Sequence, residues 1–312
     1  MKREIIIGSR ASALALWQTN WVKDKLQQLN PDYKFSIRHI KTQGDKILDV
    51  ALAKIGDKGL FTKELEVAML NGEIDFAVHS MKDLPTALPA GLTIGAIAER
   101  FDPRDVVVSH KGYTLKDLPQ GARVATSSLR RRAQLLKYRP DLTIEDVRGN
   151  LNTRLRKLEE EDFDALILAA AGVERLGWSD RIEERISFDL ILPAVGQGSI
   201  GVELRQDDEE LKAIVGKINH QPSEKAILAE RAMLRKLEGG CQIPIGALGQ
   251  VAGHTLTLRG NVASLDGSQL LADQVTGSIN EANELGTQLA DKLLAKGAEK
   301  ILEAVRRESG EL

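Results

Sequence analysis

The chain has 312 residues, enough for two or three domains and a substantial core. Hydrophobic residues at 42% and charged residues at 28% are ordinary for a soluble globular protein and exclude a disordered or fibrous chain. Lys plus Arg (43) against Asp plus Glu (45) leaves a formal charge of -2, so no global basic field drives nonspecific nucleic-acid binding, and any anion-handling site must be local.

The single cysteine, Cys241, excludes an intrachain disulfide and a CxxC zinc or redox motif. Five histidines without a second cysteine speak against a structural metal site, and no metal is expected. No apolar run approaches the length of a membrane span. At the start, Ile5-Ile6-Ile7 is interrupted by Gly8 and Arg10 and is no secretory h-region. These readings make a soluble cytoplasmic protein the default, without membrane or nucleic-acid partner. No extended hydrophobic edge signals an oligomer, so a monomer is expected.

Ile5-Ile6-Ile7 reads as a strand leading into a helix from Ser12 to Leu29, with Leu14, Leu16, Trp17, Trp21 and Leu26 at helical spacing. Phe35 to Ile40 is a second strand, Thr62 to Leu70 a helix, Asp75 to His79 a third strand. Pro85 and Pro89 make Ser80 to Ala90 an extended loop, and Leu92 to Ala98 is a further strand. The alternation predicts a mostly parallel sheet with helices on both faces. It then begins again. Arg123 to Thr126 is a strand opening at Ser127-Ser128 into a helix from Leu129 to Tyr138. Asp141 to Val147 is a strand, Asn150 to Glu160 a helix, and Ala165 to Ala169 a buried strand.

Two local similarities relate the halves. Gly8-Ser9-Arg10-Ala11-Ser12 corresponds to Thr126-Ser127-Ser128-Leu129-Arg130, and Glu73 to Val78 corresponds to Glu161 to Leu166. The second lobe ends near Pro193. A strand from Ser199 to Leu204 and a helix from Asp207 to Ile218 are then free to return to the first. Two crossings between lobes suit a hinged cleft. The division read from this is 1–98 with 199–218, 103–193, and 220–312. The last part carries a helix from Ser223 to Leu237, strands near Ala247–Val251, Thr255–Ser264 and Gln269–Ser278, and closing helices from Glu281.

Gly196-Gln197-Gly198-Ser199-Ile200-Gly201 matches GxGxxG on paper, but Pro193 precedes it and a strand follows, so a hinge is the better reading than a dinucleotide site. Ser128-Leu129-Arg130-Arg131-Arg132 places three arginines in a first helical turn, where the helix dipole opposes each by about 0.3–1 kcal/mol. A bound anion would reverse that sign, received by free amides, the Thr126 and Ser128 hydroxyls and the guanidinium forks. A solvated basic turn is the plainer alternative. Arg10, Arg148, Arg154 and Arg175 follow other strand ends, where open α/β sheets bind ligands, and a cleft accepting several carboxylates is the economical reading.

Asp83, in His79-Ser80-Met81-Lys82-Asp83-Leu84-Pro85, would stay ionised among cations and could stabilise a cationic intermediate or pass a proton. A Lys–Asp surface pair is the alternative. Cys241 sits between Gly239-Gly240 and Pro244, a turn context that brings backbone close to a ligand, although lone cysteines are usually small buried hydrophobes.

Taken in order, Gly8 to Ala15, His79 to Pro85, Thr126 to Arg131, Arg148-Gly149-Asn150, Pro193 to Gly198, and Glu230-Arg231 through Leu237 to Cys241 resemble the porphobilinogen deaminase (hydroxymethylbilane synthase) family over essentially the full length. Met233 replaces an expected Phe, and no charged position departs. The fold expected is α/β, with two similar periplasmic-binding-protein-like lobes of mixed, mostly parallel sheets plus a small α+β C-terminal domain. The resemblance implies condensation of four porphobilinogen molecules with release of ammonia, yielding 1-hydroxymethylbilane. It also implies a dipyrromethane primer held by a thioether to Cys241.

On this resemblance Asp83 is the catalytic residue, opposite the cation left when ammonia departs. Lys82, Ser128, Arg130, Arg131 and Arg154 hold the primer with Cys241. Arg10, Ser12, Thr126, Arg148, Arg175 and Gln197 bind substrate, guanidinium forks suiting the acetate and propionate of each pyrrole. Two other classes stand beside it: a two-lobed, non-catalytic binding protein for small carboxylate ligands, and a cysteine-nucleophile transferase unrelated to pyrroles.

Overall fold

The computed structural model describes residues 3–46, 59–237 and 243–309. Strand β1 (Glu4–Ser9) buries Ile5 and Ile7 completely. It ends where Ser12 caps helix α1 (Ala13–Leu29), its hydroxyl accepting from the Ala15 N–H at 3.4 Å. β2 (Lys34–His39) pairs parallel with β1. After the short α2 (Gln43–Lys46), α3 (Lys63–Leu70) leads to β3 (Phe76–Ser80), parallel to β1 on its other side. β4 (Leu92–Ile97) is the edge strand at the end away from β2.

The next strand, β5 (Asp105–Val108), lies in a different sheet and was not expected from the sequence. That second sheet also holds β6 (Arg123–Ala125), β7 (Thr143–Glu145), β8 (Ala165–Ala169) and β9 (Glu184–Arg185). α4 (Leu129–Tyr138) and α5 (Leu151–Glu160) follow β6 and β7, and the short α6 (Ala170–Arg175) follows β8 without a loop. All five side chains of β8 are buried, as a strand covered on both faces requires. The chain then returns to the first sheet as β10 (Ile200–Arg205).

The strand orders are β2-β1-β3-β10-β4 and β7-β6-β8-β5-β9. In each sheet the fourth strand is antiparallel to both neighbours, so four of five strands run one way although only half the ladders are parallel. The two reversed strands, β10 and β5, are the ones reached by a crossing from the other sheet. β1 and β6 take equivalent places, as do β3 and β8, so the two sequence similarities fall on topologically matched strands.

After α7 (Glu209–Val215), shorter than the expected helix because residues 216–218 tighten to a 3₁₀ turn, α8 (Gln221–Lys236) takes Pro222 into its first turn. β11 (Ile245–Ala252), β12 (Thr255–Ala263) and β13 (Leu270–Ser278) form an antiparallel sheet. α8 and α9 (Ala282–Ala295) pack with it around Ala229, Met233, Leu256, Leu258, Leu289 and Leu293, all fully buried. α10 (Ala298–Ser309) closes the described chain.

Candidate active site

The helix that began with three arginines at the wrong end is balanced from inside the protein. Asp105, the first residue of β5, is 1% exposed; its Oδ2 accepts from Arg130 Nη1 at 2.7 Å, and its Oδ1 accepts from Arg131 Nη2 at 2.8 Å and Nε at 3.0 Å. Gln197 Nε2 donates to the same Oδ1 at 2.9 Å. Burial alone would raise the Asp105 carboxyl, but the charges of Arg130 and Arg131 outweigh it and hold it well below the usual carboxylate range.

This corrects the expectation of open forks. Arg130 also donates to Leu192 O and Arg131 to Ile167 O, and both are buried, whereas Arg132 faces solvent. Asp105 went unread because the segment between the lobes carried no helical pattern. An Asp directly before Val106-Val107-Val108 was the available signal, since a run of that kind is buried and its first residue with it.

The loop after β3 makes a tight turn, with Asp83 N–H bonded to Ser80 O at 2.9 Å and Met81 N–H to Ser199 O at 3.0 Å. Asp83 thereby enters a pocket with Arg10, Ser12, Gln18, His79 and Ser80. Gln18 Nε2 donates to Ser80 Oγ at 2.9 Å, and the Arg10 guanidinium stacks on Phe61 at 4.2 Å. Gln18, Ser80 and Phe61 were not singled out from sequence; Gln18 occupies the buried face of α1, a place where helical spacing anticipates an apolar side chain.

On its other side Asp83 meets the second lobe's cations. Burial, chiefly, brings the Lys82 ammonium down to about 8, with Asp83 and Asp105 opposing Arg131 and Arg130. Burial and the neighbouring charges of Arg131 and Arg148 bring Arg154 to about 10, with Asp83 opposing. Lys82 and Arg154 thus both feel the charges of Asp83 and Arg131, and Arg154 also that of Arg148.

Several of these cations are short of acceptors among the described residues. Among the described residues Arg148 makes no hydrogen bond, Arg154 is held through Nε to Gly149 O at 2.9 Å, and the buried Nε of Arg130 and of Arg175 has no hydrogen-bond partner. Burial brings Arg175 to about 10 as well. Buried cations short of acceptors are stabilised by carboxylates, so the donor set fits a polycarboxylate group such as a dipyrromethane.

Other residues lie differently from expectation. Arg175 stands on the last turn of α6 and not at a strand end, because Ala170-Ala171 start a helix at once. Its Nη2 donates to Gly198 O at 2.8 Å and its plane lies over Phe101 and Trp17. Gln197 is a strut between Pro103 O and Asp105, with its buried Oε1 lacking a hydrogen-bond partner among the described residues. Ser128 caps α4, and Thr126 Oγ1 accepts from the Ser128 N–H at 3.3 Å. Gly196 and Gly198 have φ of +76° and +89°, and no helix follows them, which excludes the dinucleotide fingerprint. Cys241 lies outside the described residues. Among the described residues no His, Cys, Asp and Glu group could hold a metal, and no helix is long and apolar enough to cross a membrane.

Residues 5–213 match the family model "Porphobilinogen deaminase, dipyromethane cofactor binding domain", and residues 224–295 match "Porphobilinogen deaminase, C-terminal domain". Porphobilinogen deaminase of Carboxydothermus hydrogenoformans is 60% identical over 311 residues, covering 100% of both chains. That of Synechococcus elongatus is 56% identical, over 97% of this chain and 96% of that protein. Among solved structures, a probable amino-acid ABC transporter extracellular-binding protein from Bacillus subtilis is 16% identical, with a TM-score of 0.44 over 69% of this chain and 89% of that one.

Proposed function

The chain belongs to the porphobilinogen deaminase family, and we propose here how its own residues carry out that family's reaction. It is a transferase of tetrapyrrole (haem) biosynthesis that condenses four porphobilinogen molecules, with release of ammonia, into 1-hydroxymethylbilane on a covalently bound dipyrromethane. The non-catalytic binding-protein reading is not favoured. Asp83 carries the residue assignment: among the described residues it is the carboxylate that lines the Arg10 pocket and also acts on Lys82 and on Arg154 of the second lobe.

The dipyrromethane, attached through Cys241, supplies the free pyrrole carbon to which the first substrate is joined. Lys82, Arg130, Arg131 and Arg154, with Ser128, hold its carboxylates. Arg148 and Arg154 have N–H groups to give, while Arg130 and Arg131 act mainly through charge and through the position Asp105 imposes on them. Arg10, Ser12, Thr126, Arg148, Arg175 and Gln197 are assigned to substrate. When the C–N bond of an aminomethyl group breaks, positive charge develops next to the ring. The Asp83 carboxylate, set among cations, stabilises it without reorganising.

The three sheets support a division into 1–98 with 199–218, 103–193 and 220–312, the last carrying Cys241 in its sequence. The protein is assigned to the cytoplasm as a monomer acting on a small molecule, without a nucleic-acid partner.

Intact mass of the purified protein tests the reading. An excess of two porphobilinogen units, each less ammonia, is expected, and Cys241→Ser should abolish it. Asp83→Asn should keep the excess and turn over ~100-fold more slowly or worse. Protein that gains no mass on incubation with porphobilinogen would overturn the reading, and near-normal turnover by Asp83→Asn would remove Asp83 from its role.

A further inference from the structure

Behind the Asp83 pocket lies a cluster of titratable groups that the mechanism above leaves idle. β3 and β10 pair antiparallel with Gly201 opposite His79 and Glu203 opposite Ala77. His79 and Glu203 are therefore diagonal neighbours on one sheet face, opposite the face that buries Val78 and Val202. His79 Nε2 lies 3.0 Å from Glu203 Oε2, with side chains 4% and 0% exposed. Neither oxygen of Glu203 nor His79 Nε2 completes a hydrogen bond among the described residues, so the two meet as an ion-pair contact, and among those residues the imidazole is the charge partner found within 4 Å of this buried carboxylate.

Glu66 of α3 also acts on the pair, with Thr62 just before that helix. Burial pushes the Glu66 carboxyl up, the Thr62 hydroxyl pulls it back, and the charge of Glu203 adds to the rise. The charge of His79 opposes that rise, so Glu66, Glu203 and His79 are electrostatically linked. The imidazole itself lines the substrate pocket beside Asp83, Arg10 and Ser80. With Nε2 turned to Glu203, Nδ1 is the nitrogen left for the pocket. A base held by a buried carboxylate, next to a second carboxylate of different role, is an arrangement that separates proton transfer from charge stabilisation.

We propose that His79 moves the proton of the condensation and that Glu203 is its positioning residue. The inference rests on the porphobilinogen-condensing reading and deepens it. In each cycle the C–N bond of the substrate's aminomethyl ammonium breaks, the electron pair leaving on nitrogen as ammonia. A C–C bond forms to a free pyrrole α-carbon, and that carbon then loses its proton. His79 Nδ1 takes that proton and passes it to ammonia, which departs as ammonium. Asp83 keeps its charge throughout.

Two readouts test this, one independent of activity. In the histidine ¹⁵N NMR spectrum of the primer-bearing protein, His79 should be the Nε2–H tautomer with Nδ1 unprotonated, and Glu203→Gln should remove that preference. Glu203→Gln and His79→Gln should both still carry the primer mass. Their kcat should fall ~100-fold with little change in KM, and porphobilinogen deuterated at its free α-carbon should give a larger isotope effect on kcat than with wild type. Glu203→Asp should recover part of the loss. An Nδ1–H tautomer in wild type, a wild-type kcat in both variants, or a slower kcat with an unchanged isotope effect would each overturn the proposal. Wild-type protein that takes up no porphobilinogen would instead strike the reading on which it rests.

Discussion

Asp105 decides what the Arg130-Arg131 pair can do. The sequence placed these arginines correctly at a helix start and inferred an anion; the anion in contact is a residue of β5, 25 positions upstream of Arg130. Asp105→Asn would leave two buried guanidinium groups without their counter-charge, and loss of one partner of a buried pair costs ~3–5 kcal/mol. The folded-state value of Asp105 is depressed, so its contribution is present above the unfolded carboxyl value of about 3.9 and is lost as pH falls below it. Urea denaturation should show the wild-type advantage at pH 7 and a shrinking one in acid. A gap that is constant with pH would refute the assignment.

The Lys82 value is also depressed, but there it is the neutral form that folding favours. Its folded value of about 8 lies below the unfolded lysine value of about 10.4, so the unfolded chain binds more protons between the two and stability rises with pH across that window. In primer-free protein, acylation of Lys82 should be half-maximal near pH 8. Primer carboxylates stabilise the ammonium, so loading should move the midpoint upward. A midpoint that ignores loading would detach Lys82 from the anion site.

Between residues and domains, the Met81–Asp83 turn shows how an element far along the chain sets the site. A Cβ built on Gly196 would come within 2.8 Å of the Met81 carbonyl carbon and 3.0 Å of the Lys82 nitrogen, and the φ of +76° adds strain of about 1–2 kcal/mol for any L side chain. Gly196→Ala should therefore shift the turn and lower kcat, since misplacement of a reacting group by about 1 Å can cost ~100-fold. Gly253 has a comparable φ of +60° with nothing within 4 Å. Gly253→Ala should lose similar stability and keep kcat. Equal effects of the two on kcat would sink the claim of close approach. Here the hinge expected from GxGxxG is refined: these glycines let two backbones touch.

Across the chain as one body, a single buried carboxylate joins both crossings to the C-terminal sheet. Glu230, on α8 and fully buried, accepts from Arg100 Nη1 at 2.5 Å, from Gly196 N–H at 2.8 Å and from Gly249 N–H at 2.7 Å, while Arg100 Nε donates to Gln197 O at 2.8 Å. Glu230→Ala removes the acceptor common to three segments and should cost ~3–5 kcal/mol. Calorimetry should then show the C-terminal sheet melting apart from the two lobes. An unchanged single transition would mean that the apolar contacts alone hold the parts together.

The helix starts at Ser12, Ser128 and Asn150, the strands they follow and the likeness of the two halves were all legible in the sequence. Periodicity and capping act between residues a few positions apart, so one segment contains the whole signal. The ordered blocks from Gly8 to Cys241 carried the family for a similar reason: residue types at given places in the chain are chemistry that needs no coordinates. The reversed strands β5 and β10, the burial of Arg130 and Arg131 on Asp105, the pairing of His79 with Glu203 and the Glu230 junction were settled by folding. Each joins residues that become neighbours through sheet order and through the two crossings, and whether a buried charge finds its partner depends on which strands lie side by side.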